Sequence, residues 1–292
     1  MDVSFSQLHK YETCGAAYQF HYVRRLRAEE VSANLIFGKV LDKGMSEFIR
    51  GHALGEYVDP LPIFEQEWDR ALSETIVDFS ATQSPKDLRE TGAELARQFP
   101  EFWDNSGLTA LIGPGGEPMV QQKLTVQVAP GINLRCFLDV AVLTEEGESA
   151  IIDLKTALSP APDAVLLLGE QLTDYQIAAE ANKAKLGIES ISQVGFIELL
   201  KRKIPKASQG RGPEIIGPSL TPARSEAVMA ERRAKIDHLV TLIRKGVFFR
   251  NPGMAYNSPC SMCDFQNLCL HGDMEGLIEA PKGKAQAKLA VA

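Results

Sequence analysis

The sequence has no long hydrophobic run, no secretion signal and few cysteines. None of its apolar runs approaches the ~20 residues that a membrane-spanning helix needs. Its first residues lack the charged and apolar regions of a signal peptide. We therefore expect a cytoplasmic protein without a membrane segment, in which the five cysteines stay reduced and form no disulfide framework.

The sequence also lacks an excess of positive charge. The 292 residues carry a net charge of −7, so the protein as a whole does not attract nucleic acid, and a nucleic-acid surface has to be local. Basic residues do cluster, at Lys201-Arg202-Lys203, Lys206, Arg211, Arg224, Arg232-Arg233 and Lys235. Such runs are typical of solvated helix faces and loops, and contact with a nucleic acid is the alternative.

Periodicity and capping signals predict the order of the secondary structure. Helices are predicted over Ser4–Val23, Asn34–Gly51, Pro62–Ser80 and Pro85–Asn105, followed by a Gly/Pro-rich link at 113–118. Strands at Val120–Val128, Leu134–Leu143 and Ser149–Thr156 predict an antiparallel meander. The rest is predicted as a helix at Gly169–Leu186, a strand at Ile191–Leu200, a mobile loop at 203–220 and a helix at Thr221–Lys245.

This order predicts an α+β fold whose mixed sheet contains the three-strand meander and is flanked by helices. We expect one structural unit made of an N-terminal helical region, a core and a C-terminal part. Their predicted bounds are 1–118, 119–202 and 203–280, with a disordered tail at 281–292.

The predicted hairpin within Leu134–Ala157 brings three charged residues together. Its loop ends in Gly147, and a three-residue loop with glycine last is a common hairpin connection. Counting pairs back from this loop puts Asp139 opposite Asp153, with Lys155 on the same face as Asp153. Two carboxylates and an ammonium on an otherwise apolar hairpin indicate a divalent-metal site. A sheet with one solvated face is the alternative.

Three cysteines form a C-x2-C-x5-C array, Cys260, Cys263 and Cys269. Close thiolates suit a soft metal centre with four ligands, either Zn²⁺ or an iron–sulfur cluster. Cys14 is the better candidate for the fourth ligand, and His271 is a substitute for it. Cys136 lies in the hairpin, where we expect it to pack as a small hydrophobic residue.

With these residues in this order, the chain resembles the PD-(D/E)XK nuclease superfamily. Within it, the chain resembles the RecB/AddB-type exonucleases and their CRISPR-associated and phage relatives that carry a four-cysteine iron–sulfur cluster. The motifs that carry the resemblance are Ser4-Phe5-Ser6-Gln7-Leu8 with Tyr11 and Cys14, Phe37–Asp42, Phe137-Leu138-Asp139, Asp153-Leu154-Lys155-Thr156, Gln171–Tyr175 and the cysteine triplet.

The resemblance implies a restriction-endonuclease-like core at 119–202 and two metal centres. It implies Mg²⁺ or Mn²⁺ held by Asp42, Asp139, Asp153 and the carbonyl group of Leu154. It also implies a [4Fe-4S] cluster, with Zn²⁺ as the alternative, that joins the N- and C-terminal parts through Cys14, Cys260, Cys263 and Cys269. The catalytic residues that it implies are Asp139, Asp153, Lys155, Gln171 and Tyr175.

The sequence departs from the family pattern at Asp42, which aligns with a histidine that is usually a metal ligand. An aspartate is a hard oxygen donor that suits Mg²⁺ or Mn²⁺, so Asp42 is interpreted as a replacement ligand. The alternative is a helix-surface aspartate in a protein with impaired metal binding. The acidic residue often found on the first strand is also missing, because Gln121-Gln122-Lys123 occupies that region.

The resemblance implies a DNA nuclease of prokaryotic or phage origin, more an exonuclease than an endonuclease, that acts on single strands or DNA ends in repair or recombination. It also implies a protein partner in a recombination or adaptation complex. One alternative is a catalytically impaired DNA-binding or scaffold module that keeps the fold and the cluster. Another is a zinc-stapled protein of unrelated function, whose hairpin carboxylates form a salt-bridged patch.

Overall fold

The computed structural model of the protein describes residues 1–79, 83–205 and 210–280. The first part of the chain is mostly helical. Its elements are β1 (Asp2–Val3), α1 (Phe5–Thr13), α2 (Gly15–Tyr18), a π-helical turn (Gln19–Val23), β2 (Leu26–Ala28), β3 (Val31–Ser32), α3 (Ala33–Ala53), α4 (Pro60–Glu74), β4 (Val77–Asp78), α5 (Pro85–Asp104) and β5 (Thr109–Ala110).

The second part of the chain supplies the long strands. Its elements are β6 (Val120–Ala129), β7 (Ile132–Leu143), β8 (Ser149–Ala157), α6 (Asp163–Leu168), α7 (Glu170–Ala181), α8 (Lys183–Leu186), β9 (Gln193–Leu200), β10 (Glu214–Pro222), α9 (Glu226–Arg244), a 3₁₀ turn (Pro259–Met262), α10 (Gln266–His271) and β11 (Leu277–Glu279).

A mixed sheet organises the described residues, and β7 is its central strand. β6, β7 and β8 form the antiparallel meander, β8 runs parallel to β9, and β9 pairs antiparallel with β10. Val140 pairs with Val120 on one side and with Ile152 on the other, so β6 and β8 lie along opposite edges of β7. Two short strands also pair with β7: β1 near its start, at Asn133 and Leu134, and β5 near its end, at Val142 and Leu143. The predicted mixed sheet, its meander and its flanking helices are confirmed.

Helices cover both faces of the sheet and enclose two apolar cores. α1, α7 and α9 contribute to one core, which includes Leu134, Leu172 and Ile236. α3, α4 and α5 contribute to the other, which includes Phe37 and Trp68. Each large side chain buried in this way contributes about 1.5–3 kcal/mol to folding. The two strands that carry the charged residues, β7 and β8, are therefore held by packed helices on both faces of the sheet.

The two ends of the chain meet through contacts that need no metal. The Tyr11 hydroxyl donates to the carbonyl oxygen of Val247 at 2.5 Å, and the Asn251 amide donates to that of Thr13 at 3.0 Å. A Cβ atom on Gly15 would lie 2.9 Å from the backbone nitrogen of Phe249, so only glycine allows this approach. β2 and β11 also pair.

Two predicted helices are interrupted. Ser4 caps α1 as expected, but the helix predicted over Ser4–Val23 breaks at Cys14, which has extended backbone angles. The helix predicted over Gly169–Leu186 breaks at Asn182, whose side-chain amide donates to carbonyl oxygens of β6 and α7. In both cases one residue within the predicted helix has non-helical backbone angles. The contacts that accompany each break cannot be predicted from the periodicity of the sequence.

The prediction of a mobile loop over 203–220 is wrong from residue 214 onward, because Glu214–Pro222 forms β10. A bulge between Ile216 and Ser219 interrupts its alternation, and β9 supplies its hydrogen bonds. The helix predicted from Thr221 starts at Glu226, after its cap Ser225.

The helix predicted over Pro62–Ser80 spans Pro60–Glu74, and a short strand follows at Val77–Asp78, where Val31 and Ser32 pair with it. Its predicted last residue, Ser80, lies outside the described residues, as do Lys206 and the tail predicted at 281–292. None of the helices that the structure describes is long and apolar enough to cross a membrane.

Candidate active site

A fork between β7 and β8 creates the site. The ladder between these strands runs from Leu143–Ser149 to Val140–Ile152, in the predicted register, and then stops, while β8 continues beside β9. Beyond the fork, the backbone amide of Leu154 has no partner in the β7 backbone. It donates instead to the side chain of Asp139, to Oδ2 at 2.8 Å. The predicted opposition of Asp139 and Asp153 thus falls at the step where the strands separate, and this opens space between them.

Helix α3 brings Asp42 to the fork because it packs closely against β8. A Cβ atom on Gly38 would lie 3.1 Å from Thr156 Oγ1, so the absence of a side chain at Gly38 allows α3 to lie this close to β8. Asp42 follows one turn later and is oriented by Ser46, whose hydroxyl donates to Asp42 Oδ1 at 3.4 Å. Asp42 therefore faces the fork and is not a helix-surface residue.

Gln121 is a site residue that the sequence did not identify. Its side-chain amide donates to Asp42 Oδ1 and Oδ2 at 3.1 and 3.2 Å and to Asp139 Oδ1 at 3.4 Å. Its φ of 55° is left-handed, a conformation that costs about 1–3 kcal/mol for a residue with a side chain. The only signal in the sequence is its place on the first strand, where the family has an acidic residue.

Lys155, Gln171, Tyr175 and Asp153 form a closed ring of polar contacts. The Lys155 ammonium lies 2.5 Å from Asp153 Oδ2 and donates to Gln171 Oε1 at 2.8 Å. The Gln171 amide donates to the Tyr175 hydroxyl at 2.8 Å, and that hydroxyl donates to Asp153 Oδ1 at 3.4 Å. The Q-x-x-x-Y pair on α7 therefore orients the lysine and the aspartate of β8.

Burial and electrostatic repulsion raise the pKa values of Asp42 and Asp139. Burial, and then the charge of Asp153, raise the pKa of Asp139 well above its usual range and that of Asp42 to about 6. Burial acts to lower the pKa of Lys155, but Asp153 and the other two carboxylates raise it above its ordinary value. With one ammonium among three carboxylates, a further positive charge would stabilise the cluster.

A cavity of about 260 Å³ opens onto this cluster. Its lining includes Asp42, Asp139, Asp153, Leu154, Lys155, Gln171 and Tyr175, which are all the residues predicted for the metal and catalytic site. A second cavity of about 610 Å³ shares Leu35, Lys39 and Asp42 with the first. Asp42 thus lines both cavities, whereas Asp139 and Asp153 line only the first.

Within the described residues, no group of three or more His, Cys, Asp or Glu side chains is spaced to hold a metal ion. At the fork, the Gln121 amide and the Lys155 ammonium lie between the carboxylates. The proposed ligands nevertheless fit a hard cation, because all are oxygens, and the buried Asp153 Oδ2 has the Lys155 ammonium beside it in place of a fixed hydrogen-bond donor of the backbone.

The four cysteines predicted as cluster ligands, Cys14, Cys260, Cys263 and Cys269, are free thiols at intermediate exposure. Burial raises the pKa of Cys263, and Cys14 contributes to the same shift, which places Cys14 within electrostatic range of the C-terminal segment. Cys136 is buried and contacts the carbonyl oxygen of Asp174 at 3.4 Å, as expected for a packing residue.

Comparison with known proteins identifies the family. A model of the PD-(D/E)XK nuclease superfamily matches residues 2–270. No curated protein matches the chain. A solved structure titled "Crystal structure of SSO0001" covers 81% of this chain and 94% of its own at 14% identity, and its TM-score of 0.33 is too low to carry an argument.

Proposed function

The chain belongs to the PD-(D/E)XK nuclease superfamily, and from this we propose that it hydrolyses phosphodiester bonds in DNA with Mg²⁺ or Mn²⁺. We propose an exonuclease that acts on single strands or DNA ends. The observation that carries the proposal is the convergence of Asp42, Asp139, Asp153 and Lys155 on one cavity at the fork.

The proposed cation ligands are Asp42, Asp139, Asp153 and the carbonyl group of Leu154. When bound, a divalent cation supplies Lewis-acid activation of a water nucleophile and of the phosphoryl oxygen. Asp42 and Asp139 are already turned toward each other, because the Gln121 amide contacts both. A bound cation would relieve the repulsion between these carboxylates and would compete with the protons that their raised pKa values favour.

Lys155 is proposed to stabilise the negative charge that develops on the phosphate. Its compact ammonium is fixed by Asp153 and by Gln171 Oε1, and a charge fixed in advance needs little reorganisation during the reaction. Tyr175 and Gln171 are positioning residues in this scheme. They hold the lysine and the aspartate in a buried network and need no direct contact with the substrate.

The size of the cavity supports a single-stranded substrate. With a volume of about 260 Å³, the cavity is confined at the carboxylates, which favours a flexible single strand over a rigid duplex. We propose that a strand end enters this cavity and is cleaved at the carboxylates, which is the action of an exonuclease.

The cysteines are proposed to hold a [4Fe-4S] cluster that acts as a structural staple. Hydrolysis transfers no electrons, so a redox role is not needed. The N-terminal helix already contacts the stretch that follows α9 and leads to the cysteines, through Tyr11 and Val247. Zn²⁺ is the alternative occupant of the same four thiolates.

A catalytically impaired DNA-binding module is the second candidate function. It is favoured by one observation, which is that Asp42 stands where the family has histidine. It predicts DNA binding without metal-dependent degradation, and no effect of an Asp153→Ala substitution on the fate of labelled DNA.

The test is a nuclease assay with Mg²⁺ or Mn²⁺ on 5′- and 3′-labelled single and double strands. Lys155→Ala is expected to lower the rate by about 10²–10³-fold. Lys86→Ala serves as the control, because this lysine lies on α5, outside the site, and its side chain is 83% exposed. Equal degradation by the wild type and Lys155→Ala would refute the assignment, and intact DNA with the wild type would favour the second candidate.

A further inference from the structure

Lys201 is a buried cation without an acidic partner. It follows β9 directly, and only 9% of its surface is exposed. Its ammonium donates to Asn34 Oδ1 at 2.7 Å and lies 5.9 Å from the centre of the Phe37 ring. No acidic side chain among the described residues pairs with it, and burial alone accounts for the lowered pKa of Lys201.

This environment is costly for the protein by itself. A buried ammonium loses its hydration and is normally compensated by a carboxylate or another anion. A neutral amide oxygen and the face of an aromatic ring compensate only part of that loss. The other lysine of the site, Lys155, differs because it is paired with Asp153. The position of Lys201 therefore favours an anion that comes from outside the chain.

Lys201 lies beside the active-site cavity, and residues next to it line that cavity. Asn34 and Leu35 in the first turn of α3 line it, as does Leu199, which lies on the same face of β9 as Lys201. Lys39, one turn further along α3, is an exposed second cation on this lining.

The first turn of α3 adds to the positive character of this corner. Ser32 precedes the helix and makes no capping hydrogen bond with its side chain. The first amide groups of this 21-residue helix therefore keep their donor capacity, and the positive end of the helix dipole lies beside Asn34.

We propose that Lys201, Asn34 and the first turn of α3 bind a backbone phosphate of the DNA strand, at a nucleotide other than the one being cleaved. Lys155 pairs with Glu198 across β8 and β9, so Lys201 lies three residues further along. The backbone positions are therefore about 10 Å apart along the strands at ~3.3 Å per residue, and the Lys201 ammonium contacts Asn34, whereas the Lys155 ammonium contacts Asp153. The proposal rests on the proposed nuclease function and names a substrate contact outside its reacting centre.

The test compares Lys201→Met with the wild type in binding a fluorescein-labelled oligothymidylate in EDTA, over a series of salt concentrations. Loss of one charged contact is expected to weaken binding by about tenfold. The slope of log K against log salt is expected to fall by about 0.7, which is the contribution of one phosphate contact on a single strand. Lys86→Met is the matched control for the change in net charge, and it should leave both quantities unchanged.

Thermal unfolding separates this role from a purely structural one. Methionine keeps the apolar stem and removes the uncompensated charge, so Lys201→Met is expected to melt at the same or a higher temperature than the wild type. Lys201→Arg should keep the salt slope. The proposal is overturned if Lys201→Met melts at a lower temperature than the wild type while its folded fraction binds the oligothymidylate with wild-type affinity.

The outcomes also separate this proposal from the proposed function. If the wild type degrades DNA and Lys201→Met binds with the same affinity and salt slope, the phosphate site is wrong and the nuclease assignment stands. If the wild type neither binds nor degrades DNA, the nuclease assignment fails and the phosphate site fails with it.

Discussion

The side-chain amide of Gln121 donates to both carboxylate oxygens of Asp42, at 3.1 and 3.2 Å. The same nitrogen lies 3.4 Å from Asp139 Oδ1. One neutral donor thus lies between two buried carboxylates that would otherwise repel each other. The left-handed backbone of Gln121 shows that the fold accepts local strain to place this amide.

Replacing this amide with a carboxylate tests its role. Gln121→Glu adds a fourth acidic group to the cluster and removes the donor, so we expect the metal-free protein to lose about 1–3 kcal/mol of unfolding free energy. Mn²⁺ should then raise the melting temperature more than it does in the wild type. Thermal scans with and without Mn²⁺ measure both effects, and the neighbouring Gln122→Glu should show neither. Equal metal-free stability of Gln121→Glu and the wild type would show that the amide does not relieve repulsion.

The pKa of Asp42 predicts how the stability of the metal-free protein depends on pH. Its pKa is raised from 3.8 to about 6 in the folded protein, chiefly by burial, so folding favours the protonated form. Asp42 therefore contributes on the order of 3 kcal/mol to the free energy of unfolding below pH ~4. This stabilisation is lost as the pH rises through about 6.

Asp42→Asn should remove this dependence. Urea unfolding between pH 4 and pH 8 is expected to give a flatter profile for Asp42→Asn, with higher stability than the wild type at pH 8 and loss of metal-dependent activity. The exposed Asp237→Asn on α9 is the control. If the stability of Asp42→Asn depended on pH as steeply as that of the wild type, the pH dependence would not arise from the Asp42 carboxylate.

Tyr175 predicts a loss of activity without a loss of fold. The Tyr175→Phe substitution keeps the ring in the core and removes the hydroxyl that joins Gln171 to Asp153. We expect kcat to fall by about tenfold, with KM and the melting temperature little changed, because about one hydrogen bond is lost. Steady-state kinetics test this, with the 86% exposed Tyr256→Phe as control. An unchanged kcat would leave the tyrosine as a packing residue only.

A buried ion pair beneath the site predicts a large effect on stability. Arg232 on α9 binds Asp174 on α7 through two hydrogen bonds, of 2.7 and 2.8 Å. Arg232→Met leaves the fully buried Asp174 carboxylate without its partner, so we expect a loss of about 3–5 kcal/mol in urea unfolding. Arg233→Met on the same helix breaks only the exposed pair with Glu226 and should cost less than about 1 kcal/mol. Equal losses in the two variants would contradict this.

The cysteines predict a visible property. Protein purified without oxygen should be brown, and Cys263→Ser should be colourless and less stable by more than about 2 kcal/mol, because metal binding adds to the folding free energy. Cys136→Ala should stay brown. Colourless wild type with stoichiometric zinc would exclude the iron–sulfur cluster and favour zinc.

Local patterns in the sequence were sufficient to predict the hairpin. Gly147 has φ of 77° and closes the three-residue loop, so the register over 140–143 follows from the turn alone. Gln171 and Tyr175 lie four residues apart on one helix, as their spacing predicted, and in the structure their side chains contact Lys155 and Asp153.

Gln121 and Lys201 could not be predicted in the same way, because their roles arise from contacts distant in sequence. The left-handed backbone of Gln121 has no signature in a run of glutamines. Lys201 was interpreted as part of a solvated basic run, yet it is buried beside Asn34, 167 residues earlier in the chain. β10 was missed for a related reason, since its strand conformation depends on pairing with β9.

The position of β7 at the centre of the sheet has a consequence for the folding kinetics. Its hydrogen-bonding partners come from Asp2–Val3, Thr109–Ala110, Val120–Ala129 and Ser149–Ala157. The neighbouring hairpins close short loops, whereas β1 reaches β7 only after a loop of more than a hundred residues has closed. Topologies of this kind raise the relative contact order and slow the rate-limiting step of folding. The hairpin that holds Asp139 and Asp153 can therefore form early, while the cavity around it is completed late in folding.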